Sequence, residues 1–234
     1  MKVTKEPKQI RSMFSAIAPR YDLLNHLLSL SVDRYWRWRT VRVLTRETGE
    51  DRLILDVCTG TADLALLLAR SHSVVGCDFS HPMLRLAVDK TAASPLQKRM
   101  RLVEADALSL PFGEGVFDGV TVAFGLRNLQ SYEKGLREMK RVLKPGGTVA
   151  VLEFSQPRFP IMREAYLFYF SRILPRLGEW ISSRPGAYSY LCHSVRDFPE
   201  QEELEQITAK AGLQYVRHYS LTGGIAALHL ARRK

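Results

Sequence analysis

The residues best placed to do chemistry are acids that close short apolar runs. The segment Leu53-Ile54-Leu55-Asp56-Val57-Cys58-Thr59-Gly60-Thr61-Ala62-Asp63 reads as a buried strand that turns tightly into a helix. In open α/β sheets, ligands bind at the carboxyl ends of such strands. A dinucleotide loop needs several glycines so that the backbone can approach a pyrophosphate. Here Gly60 is the one glycine, and Asp56 and Asp63 flank it. Two carboxylates would repel a pyrophosphate, whereas they suit the ammonium and sulfonium charges of S-adenosylmethionine. Eighteen residues past Gly60, at the end of the second apolar run, Asp78 is placed to accept hydrogen bonds from ribose hydroxyls. Asp106 follows the third run, placed for an adenine amino group, with the Ala107 backbone alongside. Thr61 suits both a ligand carboxylate and the cap of the next helix. Any one of these acids alone is equally well a turn former; three at successive strand ends point to a binding site.

These acids need a sheet to hold them, and the rest of the chain supplies the pattern for one. Leu53–Val57, Ser73–Cys77, Arg101–Glu104, Phe117–Val122 and Thr148–Glu153 read as strands, separated by helical segments at Ala62–Arg70, Pro82–Ala92 and Tyr132–Leu143. Such alternation predicts an α/β fold with a largely parallel sheet. Pro82 suits a first helical turn, and Lys144-Pro145-Gly146-Gly147 is a stop. After a helix at Glu200–Ala211 come two alternating runs, Leu213–Tyr219 and Ala226–Leu230, joined by Leu221-Thr222-Gly223-Gly224, a hairpin turn. A Rossmann-like seven-stranded sheet, mostly parallel and finished by an antiparallel hairpin, is the layout of class I AdoMet-dependent methyltransferases. The reading is a single domain over 1–234: helices forming an N-terminal lid over 1–50, a cofactor-binding core over 51–157, a helical insertion over 158–196, and a final helix and hairpin over 197–234.

Composition sets outer limits. With 234 residues, 46% apolar and 25% charged, the chain is an ordinary globular protein and not a disordered or fibrous one. No apolar run reaches membrane-spanning length, since Arg172, Pro175 and Arg176 break the best candidate. The polar start, Lys2 to Arg11, lacks the apolar core of a secretory signal, so a cytosolic location is expected. Cys58, Cys77 and Cys192 have no metal or redox spacing and read as reduced apolar fillers. Of the net charge of +10, residues 1–50 carry +5 and residues 158–196 carry +4. A positive surface attracts nucleic acid and anionic lipid alike.

Several longer segments resemble the ubiquinone/menaquinone biosynthesis C-methyltransferases. They are Tyr21-Asp22-Leu23-Leu24-Asn25 with Ser29 and Trp36, then Phe124-Gly125-Leu126-Arg127-Asn128, then the run from Arg141 to Ser155. The likeness continues through Tyr188 to Leu191, Phe198-Pro199-Glu200-Gln201 and Leu221 to His229, so it spans nearly the whole chain. It implies methyl transfer from S-adenosylmethionine to a ring carbon of a polyprenylated demethylquinol, with demethylmenaquinol giving menaquinol as the first expectation. By position, Thr61, Asp78, Asp106 and Ala107 match the family's cofactor contacts. The chain departs from the family where Cys58-Thr59-Gly60-Thr61-Ala62 replaces a frequent Ala-Gly-Gly-Thr-Gly, and where Ala123 replaces a frequent serine.

Methylating a ring carbon requires electron density there, which rises as the neighbouring hydroxyl loses its proton; no metal is called for. Arg127 is the first choice for stabilising the resulting phenolate, placed by the sequence after the fourth strand at the pocket mouth. Tyr21, in the N-terminal lid beside Asp22, is placed to hydrogen-bond the quinol. His193 and His229 are weaker candidates for a base, and the base stays unassigned. Tyr166, Phe168, Phe170 and Trp180 beside Arg172 and Arg176 give the insertion an amphipathic, basic character suited to transient contact with an anionic membrane surface at the inner face of the plasma membrane. Three other readings stand beside this one: methylation of a ubiquinone-pathway benzoquinol, RNA methylation, and a non-catalytic AdoMet-binding scaffold. The RNA reading draws on Arg34, Tyr35, Trp36, Arg37, Trp38 and Arg39, but no nucleic-acid module is recognisable and no nucleic acid is expected as partner. The number of chains in an assembly stays open, an oligomer included.

Overall fold

A parallel strand with both faces covered is almost wholly apolar, and the five-residue run Leu53–Val57 meets that condition as β1 at every position but Asp56. In the computed structural model, which describes residues 6–18, 29–157, 163–164, 168, 172 and 187–234, β1 is an inner strand of a seven-stranded sheet. Helices α1 (Pro7–Ile17) and α2 (Val32–Thr48) precede it. Then come α3 (Asp63–Leu68), β2 (Ser73–Asp78), α4 (His81–Ala92), β3 (Met100–Glu104) and β4 (Phe117–Ala123). They are followed by α5 (Tyr132–Val142), β5 (Leu143–Phe154), α6 (Ala187–Arg196), α7 (Gln201–Lys210), β6 (Gln214–Leu221) and β7 (Ala226–Arg232). Tyr21, Asp22 and, within the 158–196 insertion, most of 158–186 lie outside the described residues, as does the stripe assigned to it except Phe168 and Arg172.

The strand order is β3-β2-β1-β4-β5-β7-β6. β1 to β5 pair in parallel, and β7 runs antiparallel to both β5 and β6, so the expected terminal hairpin is present. The chain winds outward from β1 in one direction and from β4 in the other. That reversal between β1 and β4 opens a crevice at their carboxyl ends, where ligands of this architecture bind.

Each face of the sheet buries one apolar layer. Leu44, Leu64 and Leu68 pack against Ile54 and Leu152 on one face. Leu136, Met139 and Leu204 pack against Leu55, Val120 and Val149 on the other. The Lys144-Pro145-Gly146-Gly147 stop acts within one residue: α5 ends at Val142 and β5 begins at Leu143, with Gly146 at φ 79° and a register shift between Phe117 and Gly119 absorbing the bend. The two sheet edges differ from a flat strand. β3 is short and exposes Arg101 and Glu104, while β6 carries a bulge between Tyr215 and Arg217.

Candidate active site

The loops after β1, β2, β3 and β4 meet at the crevice. They wall a cleft of about 840 Å³ of atom-free space, with Cys58, Gly60, Asp78, Asp106 and Ala107 on one side and Phe124, Gly125 and Asn128 on the other. A smaller recess adjoins it, lined by Arg37, Asp56, Thr59, Thr61 and Asp63. Cys58, Gly60 and Ala123 border both. The structure thus brings all six sequence-assigned cofactor residues to one corner of the sheet, in two neighbouring compartments.

Asp78 is the centre of the larger one. It is 7% exposed. Its Oδ2 accepts from the Gly60 N–H at 2.9 Å and its Oδ1 from the Ser80 N–H at 2.9 Å. Burial raises its pKa, opposed by the N–H groups of Ser80, Gly60 and Phe79 and by the charge of Arg11. The Gly60 N–H is the amide a pyrophosphate would need, and a carboxylate already occupies it. A cation in the cleft would favour the ionised form of Asp78, while a phosphate would oppose it. These features fit a positively charged ligand such as S-adenosylmethionine.

Asp56 behaves differently. It is 1% exposed, and its oxygens accept from the Thr59 hydroxyl at 2.7 Å and the Thr121 hydroxyl at 2.6 Å. Burial pushes its pKa up to about 6 despite these two donors and the Arg37 charge. Asp106 is exposed, and its Oδ1 accepts from the Leu108 N–H at 2.8 Å, so it shapes the turn that presents Ala107 to the cleft. Thr61 is buried in the recess, and the residue at the N-cap of α3 is Ala62.

The loops are held in strained conformations. Cys58, Ala62 and Phe124 have φ of 56°, 70° and 57°, in the left-handed region that side chains disfavour; Cys58 and Phe124 line the cleft, and Ala62 is buried between the recess residues Thr61 and Asp63. Gly125 has no alternative: a Cβ there would stand 2.5 Å from Cys58 Cβ. The β1 and β4 loops therefore touch at this glycine.

Arg127 is behind the cleft wall and not at its mouth. It is 4% exposed, donates through Nη1 to Glu153 Oε2 at 2.9 Å, and stacks over the Phe154 ring at 5.3 Å. Glu153 also accepts from the Arg127 backbone N–H at 3.1 Å. Tyr21 lies outside the described residues. His193 is exposed on α6. His229 is buried in the terminal hairpin, where Tyr215 Oη stands 3.1 Å from its Nδ1 and 3.1 Å from His218 Nδ1.

Several residues were missed in the sequence. Thr121 and Glu153 sit in otherwise apolar strand runs, and a polar residue in a strand buried on both faces was the available signal. Asn128 is marked only as part of the family-like segment Phe124–Asn128, and Arg37 only as one of a basic run; neither is assigned to the cleft by the sequence. Asn128 lines the cleft while its Oδ1 accepts from Tyr190 Oη of α6 at 3.0 Å. From α1, Ile10 and Phe14 line the cleft, and Arg11 Nε donates to the Phe79 carbonyl at 2.7 Å. α1 thus forms part of the cleft wall.

Comparison with known proteins follows the same direction. The profile of the ubiE/COQ5 methyltransferase family matches residues 1–233. The chain is 45% identical over 236 residues to a Geobacter sulfurreducens protein named ubiquinone/menaquinone biosynthesis C-methyltransferase UbiE, covering 99% of this chain and 91% of that protein. It is 51% identical over 224 residues to a Thermus thermophilus demethylmenaquinone methyltransferase, covering 94% of this chain and 100% of that protein. A solved SAM-dependent methyltransferase from Aquifex aeolicus shares the fold with a TM-score of 0.61 at 18% identity, over 83% of this chain and 89% of its own. Motifs, sheet topology and near-complete sequence match agree: the chain belongs to the ubiE/COQ5 methyltransferase family.

Proposed function

We propose that the protein transfers a methyl group from S-adenosylmethionine to a ring carbon of a polyprenylated demethylquinol, and that demethylmenaquinol is the quinol. The observation that carries this is Asp78, a buried carboxylate that takes the Gly60 amide for itself. Family membership supplies the reaction class, and the demethylmenaquinone methyltransferase name of the Thermus thermophilus relative favours the naphthoquinol ring.

The bound donor supplies an electrophilic methyl on a positively charged sulfur. Asp78 accepts from the ribose hydroxyls, Asp106 and the Ala107 backbone hold the adenine edge, and Gly60 and Thr61 bound the amino-acid end. Asp56 gives the recess a carboxylate that matches an ammonium group, while Asp63 beside it is paired with Lys90 at 2.6 Å. Holding donor and acceptor carbon in line accounts for much of the rate enhancement. Ile10, Phe14 and Phe124 keep water from the reacting atoms.

Arg127, paired with Glu153, acts on the phenolate through the loop that carries Asn128 into the cleft, so it is a positioning residue with an electrostatic contribution. Tyr21 is assigned the quinol hydrogen bond from its place in the N-terminal segment of the sequence. A polyprenylated substrate brings the protein to an anionic membrane surface on the cytosolic side; among the described residues no helix is long and apolar enough to cross a membrane.

Supplying labelled S-adenosylmethionine with a demethylnaphthoquinol, a demethylbenzoquinol or bulk RNA tests the reading. Label in the naphthoquinol is expected. Label in RNA, or in nothing, would overturn it. In calorimetry, Asp78→Ala should lose about 2 kcal/mol of donor affinity, since a charged acceptor of buried hydrogen bonds disappears. Unchanged affinity would mean the ribose lies elsewhere.

A further inference from the structure

We infer that the outer face of α2 is the surface by which this protein docks on an anionic lipid bilayer. The inference rests on the proposed polyprenylated substrate for its purpose, but its geometry stands alone. Arg34, Tyr35, Trp38, Arg42 and Arg46 recur at helical spacing along the solvent side of α2. Tyr35 and Trp38 are 49% and 45% exposed, and Leu30, just ahead of the helix, is 81% exposed. These are three of the six large apolar side chains exposed among the described residues, and they cluster at one end of one helix.

That end lies at the carboxyl edge of the sheet. Trp36, on the inner side of the same turn, packs against Phe124 and Phe154, and Arg37 lines the recess with Asp56. The opposite end of α2 is at the amino edge, where the Thr48 carbonyl accepts from Arg52 Nε just before β1. The exposed aromatics and the active-site crevice therefore share an edge, and a bilayer at that edge would present a tail-bearing substrate to the cleft.

The charge on this face has one sign. The two acids of α2 turn elsewhere: Asp33 is buried beside Arg37, and Glu47 pairs with Arg217 and Arg232. Among the described residues no carboxylate pairs with Arg34, Arg42 or Arg46. The Arg42 guanidinium lies over the Trp38 ring at 5.2 Å, and Arg39 and Arg217 lie over Tyr219 of the neighbouring edge strand at 5.5 and 5.7 Å. Cations beside half-exposed aromatic rings match the headgroup layer, where amphipathic rings settle and arginine meets lipid phosphate. RNA fits less well. Tyr35 and Trp38 stack on each other at 6.0 Å and 29°, which fills ring faces that bases would need, and an exposed leucine gives a nucleic acid nothing.

The full chain is sedimented with vesicles of phosphatidylcholine alone or mixed with phosphatidylglycerol. Binding to the mixed vesicles only is expected. Arg34→Gln with Arg42→Gln should weaken it about thirtyfold, from the usual contribution of two basic residues at an anionic surface. Tyr35→Ser with Trp38→Ser should weaken it comparably. Both variants should keep wild-type donor affinity and wild-type methylation of a short-tailed, soluble demethylquinol. In a Trp180→Phe background, brominated lipid should quench Trp38 while Trp36, 2% exposed, stays bright. The inference is overturned if both variants bind vesicles as the wild type does, if they abolish a dimer while vesicle binding persists, or if the wild type binds RNA and no vesicles. Failure to methylate any quinol would overturn the proposed reaction and leave the vesicle result standing.

Discussion

Ala62 occupies a left-handed conformation at φ 70° with its methyl fully buried, and it stands where the family often has glycine. The backbone preference and the buried methyl pull in opposite directions, with the backbone the larger of the two. Ala62→Gly should therefore stabilise the fold by up to about 1 kcal/mol, read as a higher urea midpoint. A lower midpoint would show that the methyl outweighs the backbone. Gly125 presents the reverse case. Gly125→Ala drives a Cβ to 2.5 Å from Cys58 Cβ, and neither backbone can yield without moving a wall of the cleft. A loss of about 1 to 3 kcal/mol is expected, together with weaker donor binding. Adding Cys58→Gly, which also suits the φ of 56° at that position, should return much of it. Absence of rescue in that double-mutant cycle would place the strain elsewhere.

At the scale of elements, α1 is fastened to the crevice through Arg11, which binds the Phe79 carbonyl next to Asp78 and the Glu104 carboxylate at 3.1 Å. Arg11 is half exposed, so its ion pair adds little to global stability. Its removal acts on the part of the cleft wall that α1 supplies. Arg11→Ala should leave the thermal midpoint nearly unchanged and raise the KM for S-adenosylmethionine about tenfold, given the loss of about 1 to 1.5 kcal/mol of charge-assisted bonding. Equal KM values would detach α1 from ligand binding. The strands were legible in the sequence because two-sided burial leaves most positions of a run with little choice but Val, Leu and Ile, as at Leu53, Ile54, Leu55 and Val57. The acids at their ends were legible because strand ends are where polar residues return. Arg127 was read as facing the ligand because its buried partner, Glu153, is 26 residues away and no local pattern announces such a pairing. The contribution of α1 to the cleft was hidden for the same reason, since Phe79 and Arg11 are 68 residues apart. Helix α3 starts one residue later than its pattern because the left-handed Ala62 fixes its start.

For the molecule as a whole, two buried groups set opposite responses to acid. The Asp56 carboxyl, held at about 6 against 3.8 in the unfolded chain, is protonated in the folded state over a range where the unfolded state has lost that proton. Its burial therefore costs stability above pH 6, and the cost fades as the pH falls to about 4. The His229 imidazole is pushed down to about 4 by burial and by His218. From pH 6.5 downward the unfolded chain takes up a proton that the folded chain refuses until about pH 4, so stability is lost over that range. Each linkage is worth about 3 kcal/mol, and over the same window they nearly cancel. Asp56→Asn should expose the histidine's effect, giving a urea midpoint that drops steadily from pH 6.5 to 4. His229→Gln should give a midpoint that rises over that interval. Parallel slopes in both variants and the wild type would refute the assignment.

The borders of the sheet have a further bearing on how the protein behaves at high concentration. A strand with unpaired amides invites a neighbour to extend the ladder, and a kink or a fixed charge on that strand deters it. The short, charged β3 and the bulge that sets Arg217 into β6 provide both deterrents. Arg217→Val would place two valines side by side with Val216 on an open border. Light scattering of a stored, concentrated stock should then grow where the parent stays clear, so one arginine on an outermost strand separates a durable solution from a slowly clouding one.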